Sequence, residues 1–326
     1  MLLQIVSFII GLLLLYYGAG WLVKGSSSLA KRLGLAPIVI GLTVVAFGTS
    51  APELVVSLVS AVKGKSMIAI GNVVGSNICN IALVLGLTAV FHPVVARKSV
   101  ICRDIPLMLA VSLYLLLLSL NSTIGRIEGI SLFSGVIAYT GFNYWIAIRE
   151  TRTAACGLSG EDLYIPKQTA SVQSMPQQIF FIVLGIGAVI YGADLLVDAA
   201  VSIMTVVGVS EKVIGLTVVA FGTSVPELAT SIVAVMKKEM DISLGNLVGS
   251  NVFNILSVIG ATAIVRPIRI EGGFIPSGLL IDYLVMMFIS FLPWLLMRKD
   301  HTISRKEGLF LLLCYGVYVG YLFFKA

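Results

Sequence analysis

The sequence predicts an all-α integral membrane protein of ten transmembrane helices, arranged as two inverted five-helix repeats, and three observations lead there. The first is composition: 58% of the 326 residues are hydrophobic and 12% charged, with a mean hydropathy of +1.03, against roughly 45–50% and 25% in soluble domains. The second is the length of the apolar runs, about twenty residues, which suits a membrane-crossing helix and is roughly twice what a transmembrane strand needs. The third is an internal duplication. GLTVVAFGTSAPEL at 41–54 returns as GLTVVAFGTSVPEL at 215–228, and GNVVGSNICNI at 71–81 returns as GNLVGSNVFNI at 245–255. YYGAGWLVKG at 16–25 is more loosely matched by IYGADLLVDA at 190–199, at the same offset of 174 residues.

Hydropathy places the spans at roughly 2–23, 37–62, 66–90, 104–121, 127–148, 177–200, 213–236, 241–265, 275–297 and 307–325. The first lacks a basic leader and has a counterpart in the second half, so it reads as a helix and not as a signal peptide. The second carries Gly48, Pro52 and Glu53, and the third a stripe of Asn and Ser; spans seven and eight repeat both features. The remaining spans are apolar runs separated by charged loops. The first repeat covers 1–148 and the second 177–326, and residues 149–176, a mixture of charge, Ser, Thr, Gly and Pro, read as a linker.

Five spans per half is an odd number, so the second half enters the membrane from the opposite side. The loops after spans one, three, five, seven and nine hold 15 of the 22 Lys and Arg residues, against seven on the other side. Basic loops stay in the cytoplasm, so both termini are expected outside, in a multi-pass protein of the cell (plasma) membrane. This loop bias also accounts for the net charge of +6, and a nucleic-acid partner is not implied. The four cysteines form no CxxC pair and the two histidines, His92 and His301, fall near predicted helix ends. Neither a disulfide framework nor a zinc site nor another cofactor is expected.

Glu53 and Glu227 lie inside apolar spans, where a charge costs from about 3 to over 10 kcal/mol depending on access of water. Pairing with Lys or Arg is one compensation, but spans two, three, seven and eight hold basic residues only at their ends. A protonated, purely structural carboxyl is another, though it leaves the surrounding oxygen donors unexplained. On a helix, Thr49 and Ser50 precede Glu53 by four and three residues and share its face, as Thr223 and Ser224 do for Glu227. Pro52 and Pro226 remove an amide donor, and Gly48 and Gly222 loosen the same turn. A broken helix carrying a carboxylate, present twice, points to a midplane substrate site.

In span three, Asn72, Ser76 and Asn80 are spaced four apart, as are Asn246, Ser250 and Asn254 in span eight. For Asn72 and Asn246, interhelical hydrogen bonding beside close-packing glycines is an open alternative; Asn80 and Asn254 are expected to line the site. Cys79 is expected to point away as apolar filler. The donors are all oxygens, which suits hard cations, and calcium's loose coordination of six to eight oxygens better than magnesium's octahedron. Two negative charges balance one Ca²⁺ or two Na⁺, so one site would hold either ion in turn.

At GTSAPE (48–53) and GTSVPE (222–227), followed by GNVVGSN (71–77) and GNLVGSN (245–251), the chain resembles the sodium/calcium exchanger family of the calcium/cation antiporter superfamily, and in length its compact prokaryotic members. The resemblance implies a 5+5 inverted fold in which spans two, three, seven and eight enclose the ions and spans one and six slide across them. It further implies Glu53, Glu227 and the backbones of Thr49 and Thr223 as calcium ligands. Ala46, Ser50, Ser76, Ala220, Ser224 and Ser250 would contribute to flanking sodium sites, with Asn80 and Asn254 at the centre.

Some branches, including potassium-dependent exchangers, carry an aspartate where this chain has Asn254, which leans against potassium co-transport. Proton-coupled members typically carry GNxxE in place of GTSxPE, so sodium is the expected coupling ion. The expected activity is therefore Na⁺/Ca²⁺ antiport by alternating access, with Ca²⁺ and Na⁺ as substrates, the bilayer as surroundings and a single chain as the working unit. The alternatives are a Ca²⁺/H⁺ or other cation antiporter of the same fold, or a cation channel. An enzyme would need a nucleophile and base that neither histidine supplies near the carboxylates.

Overall fold

The structure, a computed structural model, describes residues 2–155, 174–206 and 220–325, and it is helical almost throughout. Helix α1 spans Leu2–Leu33, ten residues past the predicted end of the first span, so Lys24, Lys31 and Arg32 ride on the helix itself. Helices α2 (Pro37–Thr49) and α3 (Ala51–Val62) replace a single span with a pair bent by 43°. Then come α4 (Ser66–Phe91), α5 (Val100–Ser119), α6 (Arg126–Ala155) and α7 (Met175–Val206). The second half continues with a short α8 (Ala220–Gly222), α9 (Val225–Met236), α10 (Met240–Val265), α11 (Leu279–Leu296) and α12 (Arg305–Lys325).

Among the described residues, six helices are long and apolar enough to cross a membrane, and the bent α2–α3 pair makes a seventh. The other predicted spans correspond to α6, to α8 with α9, and to α12; the predicted start of span seven, 213–219, lies outside the described residues. Other boundaries differ as well. Span four begins at Val100, four residues early, because Arg103 forks onto Asp104 at 2.7 and 3.1 Å and lets the first turn bury its carboxylate. Helix α6 runs on to Ala155, into the segment read as a linker from residue 149; residues 156–173 lie outside the described residues.

Helices α4 and α10 form the centre, with 78% and 83% of their most apolar stretch buried, against 28% for α1 and α7. Each contains a wide turn, Cys79–Leu85 in α4 and Asn254–Ile259 in α10, where bonding shifts to i→i+5; such turns recur at functional sites. Their ends are clipped crosswise between the halves. Strand β1 (Val94–Val95), after α4, pairs antiparallel with β4 (Thr302–Ile303), before α12; β3 (Ile268–Arg269), after α10, pairs with β2 (Thr123–Ile124), before α6. The same partners approach through glycine: a Cβ on Gly308 would meet the Gly86 carbonyl at 2.7 Å, and one on Gly129 the Gly260 carbonyl at 2.9 Å.

Helices α1 and α7 lie along each other outside this centre. Glycine makes the approach possible, since a Cβ on Gly185 would fall 2.5 Å from the Leu22 amide nitrogen and 2.8 Å from the Gly18 carbonyl. Leu15, Ala19, Val189 and Ala193 join Val225 and Val233 of α9 in a small apolar cluster separate from the main core. Polar contacts tie α1 to the turn after α9: Lys237 Nζ donates to the Gly20 carbonyl at 2.7 Å, Ser27 donates to Glu239, and Lys31 pairs with Glu239 at 3.6 Å.

Gly185→Ala is expected to part α1 from α7, because the atoms in the way belong to a backbone and cannot rotate aside. Overpacking of this kind costs about 1–3 kcal/mol. Thermal unfolding of detergent-solubilised protein checks it: a clear drop in midpoint is expected for Gly185→Ala and none for Gly316→Ala, where a Cβ has open space.

Candidate cation site

The sequence puts a proline one residue before each carboxylate, and the local structure follows. Pro52 and Pro226 occupy the first turns of α3 and α9, where a missing amide costs nothing. The breaks fall just before, at Ser50 (φ −81°, ψ 6°) and Ser224 (φ −92°, ψ 2°). Glu53 and Glu227 thus sit at the starts of new helices, where the helix dipole favours negative charge. Both are fully buried and close enough to feel each other's charge. The described ion pairs, Lys31–Glu239, Arg97–Asp241 and Arg103–Asp104, involve neither.

Hydroxyls beside the breaks, from Thr49, Ser50 and Thr223, lie against the other half's carboxylate, whereas the Ser224 hydroxyl does not. Ser50 Oγ donates to Glu227 Oε1 at 3.4 Å, and Ser250 Oγ donates to the same oxygen at 3.3 Å. Thr49 Oγ1 donates to Asn246 Oδ1 at 3.0 Å, lies 3.4 Å from Ser250 Oγ and flanks the Glu227 carboxylate. In the other direction Ser76 Oγ donates to Glu53 Oε1 at 3.3 Å and lies 3.4 Å from Thr223 Oγ1, which flanks Glu53. The reading that Thr49 and Ser50 share the face of Glu53 is therefore corrected. The break at Ser50 turns those hydroxyls off the helix face that an unbroken spiral would give them.

The remaining expected residues gather here too. Ala46 is buried in the last turn of α2 and its carbonyl accepts the Ser50 amide at 3.0 Å. Ser224 is buried at the second break; Ala220 opens α8, with its side chain outside the described residues. Asn72 Nδ2 donates to the Glu53 carbonyl at 3.2 Å and Ser57 Oγ at 3.0 Å, so this asparagine braces the site helix. Cys79 packs in the main core, with Ser224 and Tyr315 as polar neighbours. Two residues escaped the sequence reading: Asn77 and Asn251, each fully enclosed and bonded to the other's main chain at 3.2 Å. The signal for them was present, since both repeats keep an asparagine three residues before Asn80 and Asn254.

Several buried polar atoms lack a hydrogen-bond partner among the described residues; among the site residues these include the Ser224 hydroxyl and Asn246 Nδ2, and four further oxygens: Glu53 Oε2, Glu227 Oε2, Asn80 Oδ1 and Asn254 Oδ1. These four oxygens are acceptors when the carboxylates are ionised, and burying acceptors without a donor is costly. A protonated carboxyl would bring a hydroxyl that also needs a partner, whereas a cation satisfies several such oxygens at once. The donor set, oxygen throughout and carrying up to two negative charges, fits a hard cation.

The family model described as "Sodium/calcium exchanger protein" matches residues 3–145 and 177–324. The sodium/calcium exchanger MaX1 of Methanosarcina acetivorans is 30% identical, with 97% of each chain covered. The inner membrane protein YrbG of Escherichia coli is 36% identical over 95% of this chain and 94% of its own. Among solved structures, the sodium-calcium exchanger NCX_Mj soaked with 2.5 mM Na⁺ and 10 mM Sr²⁺ superposes with a TM-score of 0.81, at 30% identity and 98% coverage of both chains.

If the four oxygens cradle a cation, saturating divalent ion raises the unfolding midpoint of the purified protein by on the order of 5 °C. Glu53→Gln and Glu227→Gln are each expected to abolish that rise. Glu128→Gln, in the first turn of α6, is expected to keep it.

Proposed function

The chain belongs to the sodium/calcium exchanger family, and on that premise we propose that it exchanges Na⁺ for Ca²⁺ across the cell membrane by alternating access, the two ions competing for one site built on Glu53 and Glu227. The observation that carries this reading is the set of four unpartnered acceptor oxygens, two from each half. A pair of carboxylates balances one Ca²⁺ or two Na⁺, so occupation by one ion leaves little net charge to hold the other. Competition for a single charge-limited site is the physical requirement of exchange.

The proposed roles follow the geometry. Glu53 and Glu227 supply the charge, and the main chains at Thr49 and Thr223 complete the calcium shell. Ser50, Ser76, Ser224 and Ser250, with Ala46 and Ala220, flank it as sodium ligands, and Asn80 and Asn254 line the centre. Each half contributes to both carboxylate environments, so a cation at the centre draws the halves together.

The ten-span inverted repeat belongs to this proposal as well. It is supported by the crosswise strand clips, in which each half's third long span is tied to the other's fifth. Alternating access then needs a part that moves against the centre. Helices α1 and α7, with their own small apolar cluster and glycine-lined contact, are suited to sliding over the α4–α10 core. The basic loops keep both termini outside.

Na⁺-loaded proteoliposomes diluted into Na⁺-free medium are expected to accumulate ⁴⁵Ca²⁺, and to stop when external Na⁺ equals internal. Glu53→Gln and Glu227→Gln are each expected to reduce uptake to background. Uptake that follows an imposed H⁺ or K⁺ gradient and ignores the Na⁺ gradient would replace sodium as the coupling ion.

A further inference from the structure

Asn77 and Asn251 join the two halves by a reciprocal ring of hydrogen bonds at the crossing of α4 and α10. Asn77 Nδ2 donates to the Asn251 carbonyl and Asn251 Nδ2 to the Asn77 carbonyl, both at 3.2 Å. Their side-chain oxygens accept from the other half's central asparagine: Asn254 Nδ2 reaches Asn77 Oδ1 at 3.0 Å, and Asn80 Nδ2 reaches Asn251 Oδ1 at 3.1 Å. All four side chains are at most 1% exposed.

The ring fixes which end of each amide faces the site. A main-chain carbonyl only accepts, so Asn77 must turn its Nδ2 to the Asn251 carbonyl and therefore its Oδ1 the other way. That oxygen only accepts as well, so Asn254 must offer its Nδ2, which leaves Asn254 Oδ1 on the far side. The same logic, run from the Asn77 carbonyl through Asn251, orients Asn80. The two oxygens so released are the unpartnered Asn80 Oδ1 and Asn254 Oδ1. Without the ring, each amide is free to present either an oxygen or an NH₂ group, and an NH₂ group repels a cation.

We infer that Asn77 and Asn251 are positioning residues for cation selectivity, which touch no ion themselves and act by holding the carbonyl oxygens of Asn254 and Asn80 toward the site. This rests on the proposed exchange activity for its substrate, and on the bonding alone for its logic. Loss of a partner that orients a metal ligand typically costs about 10–100-fold in metal affinity.

The test is a double-mutant cycle on the full chain, read by equilibrium ⁴⁵Ca²⁺ binding in detergent and by Na⁺-driven ⁴⁵Ca²⁺ uptake in proteoliposomes. Asn77→Ala is expected to weaken Ca²⁺ binding about 10-fold or more, and to raise the KM for Ca²⁺ while leaving kcat within about 3-fold, since its effect is on ligand binding. In the Asn254→Asp background the same change is expected to cost less than about 2-fold, because a carboxylate presents an oxygen whichever way it turns. Asn251→Ala against Asn80→Asp forms a second cycle that reads the same logic should Asn77→Ala fail to fold.

Equal losses in both backgrounds, or none in either, would overturn the positioning role while leaving exchange intact. Coupled binding losses in a protein that binds Ca²⁺ without Na⁺-driven uptake would support the positioning role and overturn the exchange reading. A wild-type chain that binds no Ca²⁺ would overturn both.

Discussion

Two buried carboxylates in a membrane protein, with no basic side chain bonded to them among the described residues, form the constraint on which the rest of the structure depends. A carboxylate so placed must either stay protonated or meet a cation. The proposed function takes the second course. Hydroxyls take up one oxygen of each carboxylate, at 3.3 to 3.4 Å, and the other oxygen is left without a partner, as are the side-chain oxygens of Asn80 and Asn254. The broken helices follow from the same need, because a helix start favours a carboxylate and an intact helix would hide its main-chain polar groups.

The two halves complete each other more than they complete themselves. Ser50 serves Glu227, Ser76 and Thr223 meet beside Glu53, and the asparagine ring cannot close within one half. The strand clips follow the same rule outside the site, each joining a segment of one half to a segment of the other. A duplicated sequence does not require this; two copies can fold as separate bundles. If the proposed site holds an ion, these crossed contacts mean that the ion engages both halves at once, which is the coupling a transporter needs.

Rigidity and freedom are distributed to match. The α4–α10 centre is buried on nearly every side and fastened by amide bonds that involve the main chain. Helices α1 and α7 reach the main core through Leu22, Val23, Leu29, Ala30 and Ile182, share a separate small apolar cluster with α9, and contact each other along glycines. Their firmest polar ties, Lys237 to the Gly20 carbonyl and Glu239 to Ser27 and Lys31, lie at one end. In the proposed exchange cycle this pair is the part suited to shift against the close-packed core.

The sequence by itself determined the class of the protein and its duplication, and singled out most of the residues that the structure gathers around Glu53 and Glu227. Composition forces helices in a membrane, and a buried carboxylate repeated in a copied motif is too costly to be incidental. It also located the helix breaks, because proline and glycine act through the local backbone. What only the tertiary structure decided was which groups meet. Local spacing assigned Thr49 and Ser50 to Glu53, but a turn of the backbone at Ser50 hands them to the other half. Asn77 and Asn251 escaped notice because their partners lie 174 residues away. Helical periodicity fixes neighbours within four residues, whereas the orientation of an amide oxygen is settled by donors and acceptors that reach it from another helix.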